Sequence, residues 1–596
     1  MKTTKERCDS IEQKLYDERK RTSGRRAKLI AALSCAAALV LTLSLVLFLP
    51  YPSQNIAKYR DSEYYSLICK IDGLRPKREY NNNFELIASG IADLFSGYGA
   101  KGDATEAPTT PDRYEEVTNN QVQGVIEGDL FKRSDKNIYY LTCNENSYSL
   151  DVYPVAGAET KKAASLKISP DKNMYFSGYA AARELYLNQT ATQALIVTPS
   201  YNSKEGLLYT AVIGIDLTGE APKETGRVYV SGSYVSSRLV DGALLLVSNF
   251  RINNFDYDDE KQFVPQTGAY GKMESLPADD LIVPEEATGT RYTVLCAVDT
   301  ANLTVADSLS FLSYSEEVYV SENAVYTTLS YYPEKQSGND YGRRTKISRV
   351  EYGERLALSG TTEVTGVIND RFGMDEHEGV LRVFTTTFPD GRSNASLYCI
   401  NLSDYSLRAA VENFAPEGES VYGTRFRESK AYVCTAVELR DPVFAFDLSD
   451  YDDIAYTHTG TISGYSLFLT PFKDGTMLGI GVGDSRSSLK IELYEESGSE
   501  VISVAKFEDD VGVGFSEEFK SYYINAEQGM IGIATKNYYT NQVTYCVWQF
   551  DGYGLNLIKT FALQSDNGVY EERAVLIEGI FYLFCPASGL QLWDMG

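Results

Sequence analysis

Two histidines, nine cysteines and several acidic clusters are the groups this sequence offers for chemistry. His377 sits in an acidic turn (DEHEG) and His458 in a strand-like run (YTHTG). A nucleophile needs its base within hydrogen-bond reach, and neither surrounding resembles that of a buried base. The strings G-x-x-x-x-G-K-[ST], H-E-x-x-H and G-x-S-x-G do not occur. The glycines of 479–484 (GIGVGD) do not complete a dinucleotide fingerprint. There is no C-x-x-C, so zinc-ribbon and thioredoxin-type sites are unsupported. Cys296, Cys434 and Cys585 end apolar strand-like runs, where a buried free thiol is expected. Asp256, Asp258, Asp259 and Glu260, preceded by Asn253 and Asn254, gather hard oxygens of the kind Ca²⁺ takes. They lack the D-x-D-x-D-G turn that would organise them, so a solvated acidic loop is expected. That cluster lies in a long stretch, 251–291, between two strands of one unit. It is the first choice for a binding loop, ahead of 332–344. No metal and no cofactor is expected.

Composition narrows the classes further. The chain has 596 residues, 82 acidic and 56 basic, for a net charge of −26. Phosphate contacts need a basic face, so nucleic acid is not an expected partner. At 43% hydrophobic residues there is ample material for a packed core.

The charge is uneven. Residues 1–28 hold ten Lys/Arg and five acids, a basic stub of +5. Residues 29–49, LIAALSCAAALVLTLSLVLFL, carry no charge. Twenty-one residues at about 1.5 Å each can cross a bilayer core. The basic flank predicts a cytoplasmic N-terminus. The run is too long for a usual signal-peptide core and lacks a small-x-small end, so a single-pass, uncleaved signal anchor is expected, with the rest exported. Residues 50–117 read as a helical stalk and linker. Helical spacing marks 61–74, with Asp61 as N-cap, and 84–95. A Gly/Ala/Thr/Pro-rich stretch follows at 97–113.

From about residue 117 the pattern is all-β. Runs of Tyr, Val, Ile, Leu and Thr alternate with turns. A four-strand unit recurs at 371–414, 421–462 and 465–507, often with a DLSD-like turn after its third strand. Such a unit every 40–55 residues is a propeller blade. The expected fold is a large β-propeller of about eight four-stranded blades over 118–596. A final unit has only three strands. This predicts ring closure by an N-terminal strand near Asn119–Val125.

The stretch 118–140, TNNQVQGVIEGDLFKRSDKNIYY, resembles the opening of a bacterial and archaeal family of secreted or membrane-anchored proteins. Their C-terminal β-propeller is distantly related to WD40 repeats. Thr118, Asn119, Gln121, Val122, Gly124, Val125, Glu127, Asp129 and Lys132 match the family pattern. Ile126 and Gly128 depart from its Asp and Ala. Further likenesses follow in order: 231–241, 366–385 (with GMDEHEGVLRVFTT), 430–450 and 464–480. Near Phe519 the family often has His then Lys, whereas this chain reads EEFKSYY. The resemblance implies the fold and export, and no established reaction.

Glu127, Asp129, Arg238, Asp375 and Glu376 lie in the family-like motifs, by inner strands or their turns. They are candidate channel or binding-face residues, or staples between blades. The leading functional expectation is a membrane-tethered extracytoplasmic binding or scaffold module, its partner an envelope protein or glycan. The alternative is an extracellular enzyme, such as a carboxylate-dependent glycosidase with two opposed acids in the channel. A quinone dehydrogenase is disfavoured, because only Trp548 and Trp593 are present.

Overall fold

The computed structural model describes residues 56–74 and 121–595, apart from 145, 177–182, 253–254, 285–286, 288, 334–341, 438–439, 461, 486–487, 499, 510–511, 517 and 565–570. The basic stub, the apolar run 29–49, the second stalk helix at 84–95 and the linker lie outside the described residues. Among the described residues no helix is long and apolar enough to cross a membrane. The first of the two expected helices is Tyr65–Gly73, burying Leu67, Ile68 and Ile71 on one face. Asp61 is not its N-cap. It falls in the preceding turn, where Ser62 takes the amides of Tyr64 (hydroxyl, 3.2 Å) and Tyr65 (carbonyl, 3.1 Å).

Beyond residue 126 the chain is strand after strand, each sheet built mainly from consecutive antiparallel strands. Exposure explains the composition. Val380–Thr387 and Asn394–Asn401 are buried on both faces almost throughout, while the outer strand Leu407–Val411 is largely exposed. The turns are chemically specified. Glu378-Gly379 and Asp241-Gly242 put both residues at positive φ, near +48° and +80°, the two-residue hairpin that glycine permits. After the third strands, Asp216, Asp299, Asp447 and Asp551 accept the amide two residues on at 2.8–3.0 Å. Asp404 does the same for Ser406 at 3.0 Å. The Ser449 and Ser406 hydroxyls and amides hold Asp447 and Asp404 below the usual carboxylate range. The recurring DLSD-like turn is thus an Asx turn.

Among the described residues the larger sheets run in succession over 131–168, 174–231, 233–312, 318–365, 374–411, 420–458, 465–508, 513–563 and 573–594, here sheets 1 to 9, and a small two-stranded sheet pairs Arg440–Asp441 with Ile462–Ser463. Among the described residues, sheets 1 to 8 have at least four strands each and sheet 9 has three. Neighbouring sheets pack face to face through apolar clusters, for example Leu141, Leu150, Ile196 and Ile213 between sheets 1 and 2. Sheet 9 packs back on sheet 1 through Phe131, Tyr140 and Tyr153 around Phe584.

The expected closing strand near Asn119–Val125 lies partly outside the described residues, and its described part, 121–125, forms no strand. The N-terminal strand Ile126–Glu127 does not complete sheet 9. It pairs antiparallel with the innermost strand of sheet 3, Ser233–Val240, in the register Ile126↔Leu239 and Glu127↔Arg238. The ring closes through the apolar seam between sheets 9 and 1, since Phe131, Tyr140 and Tyr153 supply the hydrophobic face that sheet 9 needs.

Candidate functional site

The segment 121–132 runs across the inner ends of the sheets and touches most of them. The Gln121 side-chain amide donates to the carbonyls of Arg371 and Met374, at the entry to sheet 5, at 3.2 Å each. Val125 is buried among Leu245, Val247 and Leu295 of sheet 3. Asp129 exchanges backbone hydrogen bonds with Leu185 of sheet 2, at 3.2 and 2.7 Å. These main-chain bonds fix the segment, and its charged side chains are then directed at fixed partners.

Glu127 is 1% exposed. Both its carboxylate oxygens accept from Arg371 Nη2, at 3.0 and 2.9 Å, and Arg238 Nη2 of sheet 3 lies 3.7 Å away. Burial pushes the Glu127 carboxyl up, against the pull of Arg238 and Lys520. The Asp129 carboxylate accepts Arg573 Nε at 2.8 and 2.9 Å and stands 2.7 Å from Arg573 Nη2 of sheet 9. It also accepts the Leu130 amide at 2.7 Å. The Lys132 ammonium donates to the Glu127 carbonyl at 2.6 Å. From sheet 8, Lys520 donates to the Gly128 carbonyl at 2.9 Å and to both oxygens of Glu184 at 3.3 Å. Burial pulls Lys520 down, but Glu184 and Glu127 outweigh it and its pKa is raised.

The expected candidates Glu127, Asp129 and Arg238 therefore meet in one buried ionic cluster. Arg371, Lys520, Arg573 and Glu184 complete it and were not singled out from sequence. Lys520 did carry a signal, being the Lys of the motif whose preceding His this chain replaces with Phe519. Phe519 packs against Phe372 and Phe468, at 5.5 and 5.6 Å between ring centroids.

Gly128, where the resembling family has Ala, is dictated by this crowding. A Cβ there would lie 2.2 Å from Glu184 Oε2 and 2.8 Å from Tyr186 Cζ. Gly128→Ala is expected to lower stability by about 1–3 kcal/mol through overpacking, read as a shift in the chemical-denaturation midpoint. An unchanged midpoint would show that Glu184 moves aside freely.

Asp375 and Glu376 lie elsewhere, on the innermost strand of sheet 5, Met374–His377: Glu376 meets sheet 4, and Asp375 meets Arg382, which reaches the Glu428 carbonyl of sheet 6. Arg382, 1% exposed, donates Nε to Asp375 at 2.9 Å. Glu376 accepts from Ser321 (2.6 Å) and Tyr326 (2.5 Å) of sheet 4, with Arg349 Nη2 3.6 Å away. His458 lies on the outer strand of sheet 6, accepting the Gly460 amide at 2.9 Å. Of the seven cysteines from Cys69 to Cys585, five are buried: Cys296, Cys399, Cys434, Cys546 and Cys585.

The long insertion after Arg251 is built into the fold. Its hairpin, Gln266–Ala269 and Lys272–Ser275, pairs with Tyr229 and Val230 at the end of sheet 2's Lys223–Ser231. Leu281–Ile282 then pairs in parallel with Thr304–Leu312 of sheet 3. Within the acidic stretch, Asn253 and Asn254 lie outside the described residues. Asp256 accepts the Asp258 amide at 3.1 Å, Asp259 lies 3.6 Å from Lys261, and Glu260 accepts from Ser275 at 3.1 Å. Tyr257 and Phe263 pack edge to face, and the Tyr257 hydroxyl donates to Asp72 of the helix Tyr65–Gly73 at 3.3 Å. Among the described residues no group of three His, Cys, Asp or Glu is placed to hold a metal ion.

A family model described as a Beta propeller domain matches residues 116–567, most of the chain. The chain belongs to the Beta propeller domain family. That match begins just before the segment crossing the inner ends of the sheets. Curated relatives include an uncharacterized protein of Archaeoglobus fulgidus, 24% identical over 554 residues, covering 79% of this chain and 84% of the relative. Another, from Methanocaldococcus jannaschii, is 23% identical over 508 residues, covering 71% and 74%. Among solved structures, the dihydro-heme d1 dehydrogenase NirN shares 10% identity at a TM-score of 0.34, covering 87% of this chain and 89% of that one. The β-propeller domain of the Trilobed protease from Pyrococcus furiosus shares 11% at 0.30, covering 64% and 98%. Neither carries an argument at those scores.

Proposed function

We propose that this propeller is a membrane-tethered extracytoplasmic binding or scaffold module. The observation that carries it is the burial of the acids of segment 121–132 against arginines of other sheets. The chain's own segment 121–132 lies across the inner ends of the sheets, and its acids are bound to Arg371 and Arg573. What remains for partners is the outer surface, its seams and its loops. The tether is argued from the uncharged run 29–49 and its basic flank. The glycosidase alternative needs one carboxyl free to protonate a leaving group and a second free to attack or activate water. Glu127 and Asp129 are instead locked to guanidinium groups, which does not suit that chemistry.

The tether is tested by protease protection. In intact spheroplasts of the native host, added protease is expected to degrade the propeller and spare a tag on residue 1. A protected propeller, or a mature chain in the medium that starts after Leu49, overturns the anchor. The binding role is tested by crosslinking the full-length chain in its own envelope. One reproducible partner is expected, and turnover of a glycan library without any partner overturns it.

A further inference from the structure

The seam where the ring closes differs from its neighbours in chemistry. The strand Asn137–Asn144 pairs with Ser147–Pro154 so that Ile138↔Tyr153, Tyr140↔Asp151 and Thr142↔Ser149 lie opposite. Asp151 in turn pairs with Ser165 of Ala164–Ile168. Residues paired in this way share one face. The face turned to sheet 2 carries Tyr139, Leu141, Tyr148, Leu150 and Val152 and is filled by apolar side chains. The face turned to sheet 9 begins in the same way, with Ile138, Tyr140 and Tyr153 against Phe584. Further along it becomes Thr142, Ser149, Asp151 and Ser165. A blade seam is normally the place for apolar residues, so a polar half-seam needs an explanation.

A cavity of about 240 Å³ occupies this polar half, closed on the far side by Phe584, Cys585, Pro586 and Gly589. That is far more than the ~15 Å³ a single water needs. Gly589 opens the last strand of sheet 9, and no fourth strand covers it among the described residues.

The chemistry of the walls selects a ligand class. Asp151 is 6% exposed and lines the cavity. Its carboxylate accepts Ser165 Oγ at 2.5 Å and the Lys162 ammonium at 3.1 Å. Each carboxylate oxygen can accept more than one hydrogen, so capacity remains on Asp151. The ion pair makes the pocket neutral overall, so it selects neither an anion nor a cation. Hydroxyls line one side. Aromatic rings form the other, Tyr140 and Tyr153 standing 5.5 and 5.0 Å from Phe584 between centroids. A buried carboxylate with an ammonium and hydroxyls beside an apolar ring wall is complementary to a neutral polyol, which has both O–H groups and an apolar C–H face.

The geometry points to a binding site for one neutral pyranose unit in the cavity between sheets 1 and 9. This deepens the binding-module reading and rests on it, naming a ligand class for that module.

The test is saturation-transfer NMR on the full-length chain in nanodiscs. The probes are methyl glucoside, methyl galactoside, methyl mannoside and methyl N-acetylglucosaminide, with glucuronate and glucosamine as charged counterparts. At least one neutral pyranoside is expected to bind in the millimolar range, and the charged probes at least about fivefold more weakly. Asp151→Asn is expected to weaken binding about tenfold, and Ser165→Leu, which fills the cavity, to abolish it. Melting curves of both variants establish that they fold, and if one does not, the other decides. A maltose and maltotriose arm separates two sources: tighter binding than methyl glucoside assigns a polymer's terminal unit, equal binding a free sugar. No saturation transfer to any neutral pyranoside, or binding unchanged in the folded variant, overturns the site. A partner captured by envelope crosslinking alongside a negative sugar result removes this inference and leaves the binding module standing.

Discussion

Arg573→Met lowers the stability of the propeller by about 3–5 kcal/mol, the range for removing one partner of a buried ion pair. Arg573 is 5% exposed and Asp129 6%. The guanidinium supplies three contacts of 2.7–2.9 Å to that carboxylate. Without it, Asp129 keeps one amide donor, that of Leu130, and stays buried with uncompensated charge. Glu518 loses a compensating charge as well. Burial already pushes its carboxyl up, and Lys520 and Arg573 are the cations that oppose this. The measurement is urea denaturation of the full-length chain at pH 7, followed by tryptophan fluorescence. Adding Asp129→Asn to Arg573→Met should recover a large part of the loss, because the orphaned charge is then gone. A single variant within about 1 kcal/mol of the parent, or a double variant no better than the single, would show that water enters and solvates Asp129. In that case the segment 121–132 is not the buried tie described above.

That cluster shows what the sequence could and could not convey. Strand alternation, Asx turns after third strands and the three-strand end of the last sheet are local, and they were legible because each is encoded within a few neighbouring residues. Glu127, Asp129 and Arg238 could be picked out as candidates, but their partners could not. Glu127 lies 244 positions from Arg371, and Asp129 lies 444 from Arg573. Nothing local distinguishes those arginines from exposed ones. The pairing of the N-terminal strand was not legible for the same reason. Ile126–Glu127 is two residues long, and pairing with Leu239 and Arg238 follows from ion pairs that only the closed ring creates. The insertion after Arg251 was read as a binding loop because it is long, carries the acidic cluster and lies between two strands of one unit. Its hairpin has strand character only in the context of the free edge at Tyr229 and Val230.

Glu572→Gln is expected to stabilise the protein by about 3 kcal/mol at pH 8 and to have little effect at pH 4. Glu572 is 2% exposed, and its Oε2 has no hydrogen-bond partner. Burial pushes its carboxyl up to about 7, against its backbone hydrogen bond and the pull of Arg573. The reference value for the unfolded chain is 4.5. The folded state therefore holds this proton more tightly. Its stabilising effect is complete below about pH 4.5 and is lost as pH rises through about 7. At about 1.4 kcal/mol per pH unit, a shift of this size corresponds to about 3 kcal/mol. Glutamine carries no charge at any pH, so the variant escapes the loss. The five Asx-turn aspartates act in the opposite direction. Their hydrogen bonds lower the folded pKa, and that stabilisation is lost as pH falls. They are common to both proteins, so the difference between parent and variant isolates Glu572. Denaturation midpoints from pH 4 to 8 should diverge between pH 5 and 7, with the variant above the parent. Because Arg573 pulls this carboxyl down, the divergence should begin at the same pH but grow larger in an Arg573→Met background. Parallel curves across the whole range would mean that Glu572 is already solvated in the folded state, and a variant that gains at pH 4 would mean that the gain comes from packing rather than from charge.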